Sequence, residues 1–331
     1  MEMKNRLYDI DRAKGLAILL VVLGHLVARG EPPKDADWYL FLKLIIYKFH
    51  MAFFMFLSGV IFNYTYKDIS NLIEYKKYAC KKIKRLMPGF IIFAGVILFG
   101  KILASHILYV DNVNHNIPLA IIDIFIFPKK SVAGSLWYIY VLLEFYLIIP
   151  ILLIVTDKTL PLLLCIGFFL YFSPSTDYFM LNNVFKYMIY FTLGLMASAN
   201  YDLYKYFIKR YHFVFIALFG CSFLSMSFVS NEASDLIIGL CSIPALHGLV
   251  INKLLINSKI LLTLGIYVYA IYLMNTITIG IAKALLFKFM SWDGLNFLFF
   301  FPVLFISGIV LPILIKKYIF KYSPYLSRIT N

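Results

Sequence analysis

Residues 14–25 read KGLAILLVVLGH, with a lysine and a histidine eleven positions apart at the two ends of an apolar run. An α-helix turns about 100° per residue, so these two side chains share one face. They stand roughly 16 Å apart along the axis, about half the thickness of a bilayer's hydrocarbon core. With Lys14 at a membrane surface, His25 falls toward the interior. Ionisable groups there are costly, and they face a site or a water-filled cavity. The stretch therefore points to a spanning helix that holds an imidazole out of bulk water.

The rest of the chain agrees. Of its 331 residues 62% are hydrophobic and only 15% charged, more apolar surface than a soluble domain of this length needs. Aromatics reach 18%, as in interfacial belts and packed helices. A net charge of +14 on a soluble protein would suggest nucleic acid. Here the cations cluster between apolar segments, and no basic groove alternates with stacking aromatics, so no nucleic acid partner is expected. Cys80, Cys165, Cys221 and Cys241 are widely spaced and form no CxxC pair, so neither a metal site nor a disulfide framework is expected. The first run follows a basic start, as a signal peptide would. It nevertheless contains Lys14 and His25, lacks a small-x-small exit, and is followed by many similar segments.

Hydropathy predicts about ten spans, near 13–29, 44–63, 88–108, 136–155, 159–175, 181–199, 212–230, 235–252, 260–284 and 295–315. Backbone groups in lipid must bond internally, and the runs are too long and uniformly apolar for barrel strands. The expected fold is an all-α polytopic bundle forming one domain over 1–331, without repeat or separate soluble part. A short helix is expected near 117–127. Basic residues recur in alternate connections: Lys4, Arg6 and Arg12; Lys67 to Arg85; Lys205, Lys209 and Arg210; Lys253 and Lys259; Lys316 to Arg328. The others carry Glu31, Asp35, Asp37, Asp111, Asp177 and Glu232. That asymmetry places both termini in the cytoplasm.

Several side chains in this frame can carry chemistry. Asp11 and Lys14 can pair at i,i+3 on the face that ends in His25. The second span reads YKFHMAFFMFLSG (47–59), with His50 in its outer half and Ser58-Gly59 as a close-packing point. KKIKRLMPG (81–89) sets Lys82 and Arg85 three apart on a short helix expected to stop before Pro88. Their cations can clamp a phosphate, or simply meet anionic lipid. SLWYIYVLLEFYLI (135–148) carries Glu144 about two turns into the membrane, where a carboxylate needs a partner or a proton. It can orient a histidine or pair with Lys101, Lys186 or Lys283. His106, His212 and His247 read as packing or surface residues.

Together these segments resemble the acyltransferase 3 family of bacterial membrane O-acyltransferases, in particular its fucose 4-O-acetylase-like branch. DIDRAKGLAILLVVLGH (9–25) resembles the first-helix signature, and FHMAFFMFLSG (49–59) the second. KKIKRLMPG (81–89) resembles a basic segment followed by proline, with Lys82 in place of an arginine. SLWYIYVLLEFYLI resembles the Leu-Trp-Phe stretch, and YFTLGLMAS (190–198) a later glycine-containing span. The likeness covers roughly 8–315, and the order and spacing of the motifs carry it. A late serine-to-histidine segment departs from the pattern: GIYVYAIYLMN (265–275) has Tyr267 near the serine place and Asn275 at the histidine place. Any role of that histidine is not carried over.

The resemblance implies acetyl transfer from acetyl-CoA to a sugar hydroxyl of a surface polysaccharide or its lipid-linked precursor, in a bacterial inner membrane. Lys14, Lys82 and Arg85 then bind the phosphates of the donor. His25 takes the hydroxyl proton or is briefly acylated, His50 holds the acceptor or the oxyanion, and Glu144 orients an imidazole. Other short acyl groups fit the same reading, and the oligomeric state is open. A transporter of a glycan or anion is the main alternative, and a non-catalytic scaffold a third.

Overall fold

In the computed structural model, residues 6–27, 32–106, 110 and 112–330 are described. Lys4, Glu31 and Asp111, the last residues of the first and third predicted spans, and position 109 lie outside them. Among the described residues the ordered elements are helices. They are α1 (Tyr8–His25), α2 (Asp37–Thr65), α3 (Leu72–Ser105), α4 (Ile117–Ile126) and α5 (Trp137–Val155), then α6 (Leu160–Phe172), α7 (Leu181–Ala199), α8 (Tyr201–Arg210), α9 (His212–Ser222) and α10 (Asn231–Ile251). The series ends with α11 (Lys259–Ile266), α12 (Val268–Leu286), α13 (Gly294–Leu314) and α14 (Pro324–Ile329).

Each of the ten predicted segments is mainly helical over its described residues, and α4 lies where the short helix was expected. Six elements are long and apolar enough to cross a membrane: α2, α3, α5 with the turn before it, α10, α12, and α13 with its extension to Tyr322. The α8–α9 pair, bent by 76°, makes a seventh if counted as one. The other segments fall short for visible reasons. The first half of α1 carries Asp9, Asp11, Arg12 and Lys14, α6 has 13 residues, and α7 opens with Asn182, Asn183 and Lys186.

Two expected boundaries are corrected. The basic segment does not stop before Pro88, because α3 runs unbroken through it for 34 residues. Proline removes one rung and strains the preceding turn, a cost of about 3 kcal/mol. Buried Leu86, Gly89, Phe90 and Phe93 lie on both sides of it, so packing holds the helix through the defect. The segment 260–284 is in turn broken at Tyr267 into α11 and α12.

The chain divides into two compact units. The first comprises 1–21, 42–66 and 189–268. Its helices cross at glycines. A Cβ on Gly15 would lie 2.0 Å from the Leu261 carbonyl oxygen, and one on Gly265 would lie 1.8 Å from that of Asp11. The residues of α2 and α7 within this unit meet in the same way at Gly59 and Gly194. The second unit comprises 22–41, 67–188 and 269–331. There α3 lies against α5, and Trp38, Tyr39, Trp292, Phe297 and Phe300 form an edge-to-face aromatic cluster.

Candidate active site

His25 is the last residue of α1 and is half-buried. The turn that carries it is anchored within the second unit. The Tyr39 hydroxyl donates to the Leu23 carbonyl at 2.7 Å. Val22 lies against α13, where a Cβ on Gly308 would come within 2.9 Å of it.

The imidazole meets α12. His25 Nδ1 and Asn275 Oδ1 are 2.8 Å apart, and Asn275 is fully buried. The Asn275 amide donates from Nδ2 to the carbonyls of Ile271 at 2.9 Å and Tyr272 at 2.8 Å. Flipping the amide would set its oxygen against two carbonyl oxygens, so its orientation is fixed. An amide oxygen only accepts, hence Nδ1 carries the hydrogen and donates. In the neutral ring the lone pair is then on Nε2, the form a general base requires.

The helix that presents Asn275 is itself held. The Thr278 hydroxyl donates to the Asn275 carbonyl at 3.0 Å. One turn back, the buried Tyr272 hydroxyl donates to the Ser135 carbonyl at 2.6 Å and accepts from the Tyr138 amide at 3.2 Å. The hydroxyls of Ser135 and Thr276 are 3.3 Å apart. These bonds tie the start of α5 to the turns of α12 on either side of Asn275.

The other sequence-predicted residues fall as follows. Lys82, half-buried on α3, sits over the Tyr146 ring of α5 at 4.1 Å and over Tyr78 at 5.3 Å. Arg85, one turn on, is exposed. Cation and ring attract without neutralising the charge, which leaves the ammonium able to meet an anion. Glu144 lies on α5, two residues before Tyr146, and its buried Oε2 accepts no hydrogen bond among the described residues. In the first unit, Lys14 Nζ is 3.7 Å from Asp11 Oδ1, the expected i,i+3 pair, and Arg6 approaches the other Asp11 oxygen at 2.6 Å. His50 is buried, and its Nδ1 donates to the Ile46 carbonyl of its own helix at 2.7 Å.

Asn275, the partner of His25, is the candidate residue that sequence reasoning passed over, having treated it only as a departure. The signal was present: an amide inside an apolar span must find partners, and such residues mark sites or helix contacts. Replacing Asn275 with leucine removes the acceptor and strands a buried Nδ1–H. Turnover is expected to fall about ten- to a hundredfold from a cost of about 1–3 kcal/mol. Asn275→Asp keeps an acceptor for Nδ1 but sets its second oxygen against the Ile271 and Tyr272 carbonyls, so it too is expected to lose turnover. The acyl-transfer rates of the two purified variants check this.

The model of the acyltransferase 3 family, described as an acyltransferase domain, matches residues 7–317. No curated protein and no solved structure matches the chain. The matched stretch takes in His25, the α3 cations and Asn275 alike, and this helical membrane protein belongs to the acyltransferase 3 family.

Proposed function

We propose that this protein moves an acetyl or similar short acyl group from acetyl-CoA to a sugar hydroxyl of a cell-surface polysaccharide or its lipid-linked precursor. We place it in the inner membrane of a bacterium, with 1–331 working as one catalytic domain. The observation that carries the chemistry is the His25–Asn275 hydrogen bond, which in the neutral ring puts the lone pair on Nε2.

The reaction follows from that tautomer. The acceptor hydroxyl gives its proton to Nε2 as its oxygen attacks the thioester carbonyl. The tetrahedral intermediate collapses, the C–S bond breaks, and the imidazolium returns the proton to the departing thiolate. Asn275 keeps accepting from Nδ1 throughout, so the ring holds its orientation in both protonation states. A two-step route through an acylated Nε2 uses the same geometry. His50 already donates from Nδ1, so its neutral ring is suited to accept from a sugar hydroxyl rather than to donate to an oxyanion. Glu144, half-buried on α5, is assigned to orient an imidazole.

Lys82 and Arg85 are assigned to the phosphates of the donor, with Lys14 as a further cation for it. Arg85→Ala is expected to raise the KM for acetyl-CoA about tenfold or more, with kcat little changed, because a charge-assisted contact made equally in ground and transition states is lost. An unchanged KM would contradict the assignment. The function itself is tested by following free thiol from acetyl-CoA with purified protein and an oligosaccharide acceptor, and by mass spectrometry of surface glycan with and without the gene. Acetyl-CoA that stays intact beside the acceptor would favour transport.

A further inference from the structure

The first unit contains a cavity of about 470 Å³, within the range of small-ligand sites. None of its lining residues is among those assigned to acyl transfer. Arg6, Arg12, Lys205 and Lys209 face it, against the carboxylates of Asp9 and Asp202.

The sequence builds this wall from two helices. Asp9 and Arg12 are three apart on the first turns of α1, and Asp202, Lys205 and Lys209 recur at i, i+3 and i+7 on one face of α8. Asp9 is committed. Its Oδ2 accepts from the Tyr201 hydroxyl at 2.8 Å and pairs with Lys205 Nζ at 3.2 Å. Arg6 is held by Asp11, which is not on the wall. Arg12 differs: the residue is half-buried, and its Nε, shielded from solvent, meets no hydrogen-bond partner among the described residues. No ion pair to Lys209 exists among the described residues. Arg12 likewise has no ion pair among the described residues, and an anion lodged against the two cations would give both the charge-assisted contacts they lack. The amino-terminal end of α1 adds partial positive charge at the same place.

We infer that this cavity binds a phosphate-bearing anion through Arg12 and Lys209. The arginine fork suits phosphate oxygens, while the lysine supplies a mobile charge from the exposed side. The phosphate can belong to a soluble nucleotide or to a lipid headgroup.

Binding to the full chain in phosphatidylcholine nanodiscs tests the site. Adenosine 3′,5′-bisphosphate is the soluble probe, with adenosine as its phosphate-free control. Nanodiscs doped with phosphatidylglycerol supply the lipid probe. One of the two is expected to raise the melting temperature of Arg85→Ala as it does that of the parent, which separates this cavity from the donor site, and the one that does identifies the source. Arg12→Gln and Lys209→Gln are each expected to weaken that binding about tenfold, and added salt to weaken it further. Lys209 is exposed, so its variant reports even if Arg12→Gln does not fold. The inference is overturned if neither probe binds, or if binding is indifferent to Lys209→Gln and to any folded Arg12 variant. Turnover is not the readout. A chain that binds through these cations but never cleaves a thioester keeps the site and loses the acyl-transfer reading.

Discussion

His25→Gln is expected to lower the turnover number by about 10²–10⁴ while the protein elutes and melts like the parent. The figure is the usual contribution of a positioned general base. Glutamine is the informative substitution because it separates two roles of the ring. Its amide can still donate to Asn275 Oδ1, so the buried acceptor is not stranded, but it cannot take a proton at neutral pH. His25→Ala removes both functions. It leaves an acceptor on a fully buried residue, which costs about 1–3 kcal/mol of stability besides the lost base. The two variants should therefore share a low rate and differ in melting temperature. The rate is read as acceptor-dependent release of free thiol, the melting temperature in the same detergent. His25→Gln at full turnover would remove the imidazole from the chemistry, whatever its place on α1.

Of the two partners in the His25–Asn275 hydrogen bond, local sequence pattern marks only one. His25 was legible because helical periodicity puts it on the Lys14 face, and an imidazole in an apolar run needs a reason. Its partner is 250 residues away and comes from an otherwise unremarkable helix, so no local pattern joins the two. The helical, membrane-spanning character was legible from hydropathy, since spans must satisfy their backbone groups internally, but the count of ten was not matched: six helices are long and apolar enough, or seven with the bent pair. The passage of α3 through Pro88 was not, because local propensity argues for a stop and only the tertiary contacts of Leu86, Gly89 and Phe90 argue against it. Arg6, Arg12, Lys205 and Lys209 were counted as orientation signals. A charge tally does not reveal that α1, the residues just before it and α8 bring them to one cavity.

The second large effect is on folding, and its sign depends on position alone. Gly194→Val is expected to destabilise the protein by more than about 3 kcal/mol, enough to abolish a sharp melting transition. A Cβ at Gly194 would stand 2.2 Å from the Phe56 carbonyl oxygen and 2.8 Å from the Val60 nitrogen. At the facing Gly59 it would stand 2.0 Å from the Phe191 carbonyl oxygen. These neighbours are backbone atoms of packed helices, so no rotamer change relieves the clash. α2 and α7 would have to separate along their whole contact within the first unit. Such close approach is what small residues provide between helices in lipid, where the hydrophobic effect does not hold them together. Gly100 provides the opposite case. It lies in α3 with nothing within 4 Å of a would-be Cβ. There alanine only reduces the freedom of the unfolded chain and raises helix propensity, a gain of up to about 1 kcal/mol. Melting curves of Gly194→Val, Gly59→Val and Gly100→Ala in one detergent should move in opposite directions. If the first two melt like the parent, α2 and α7 do not cross at these glycines, and the packing described for the first unit is wrong.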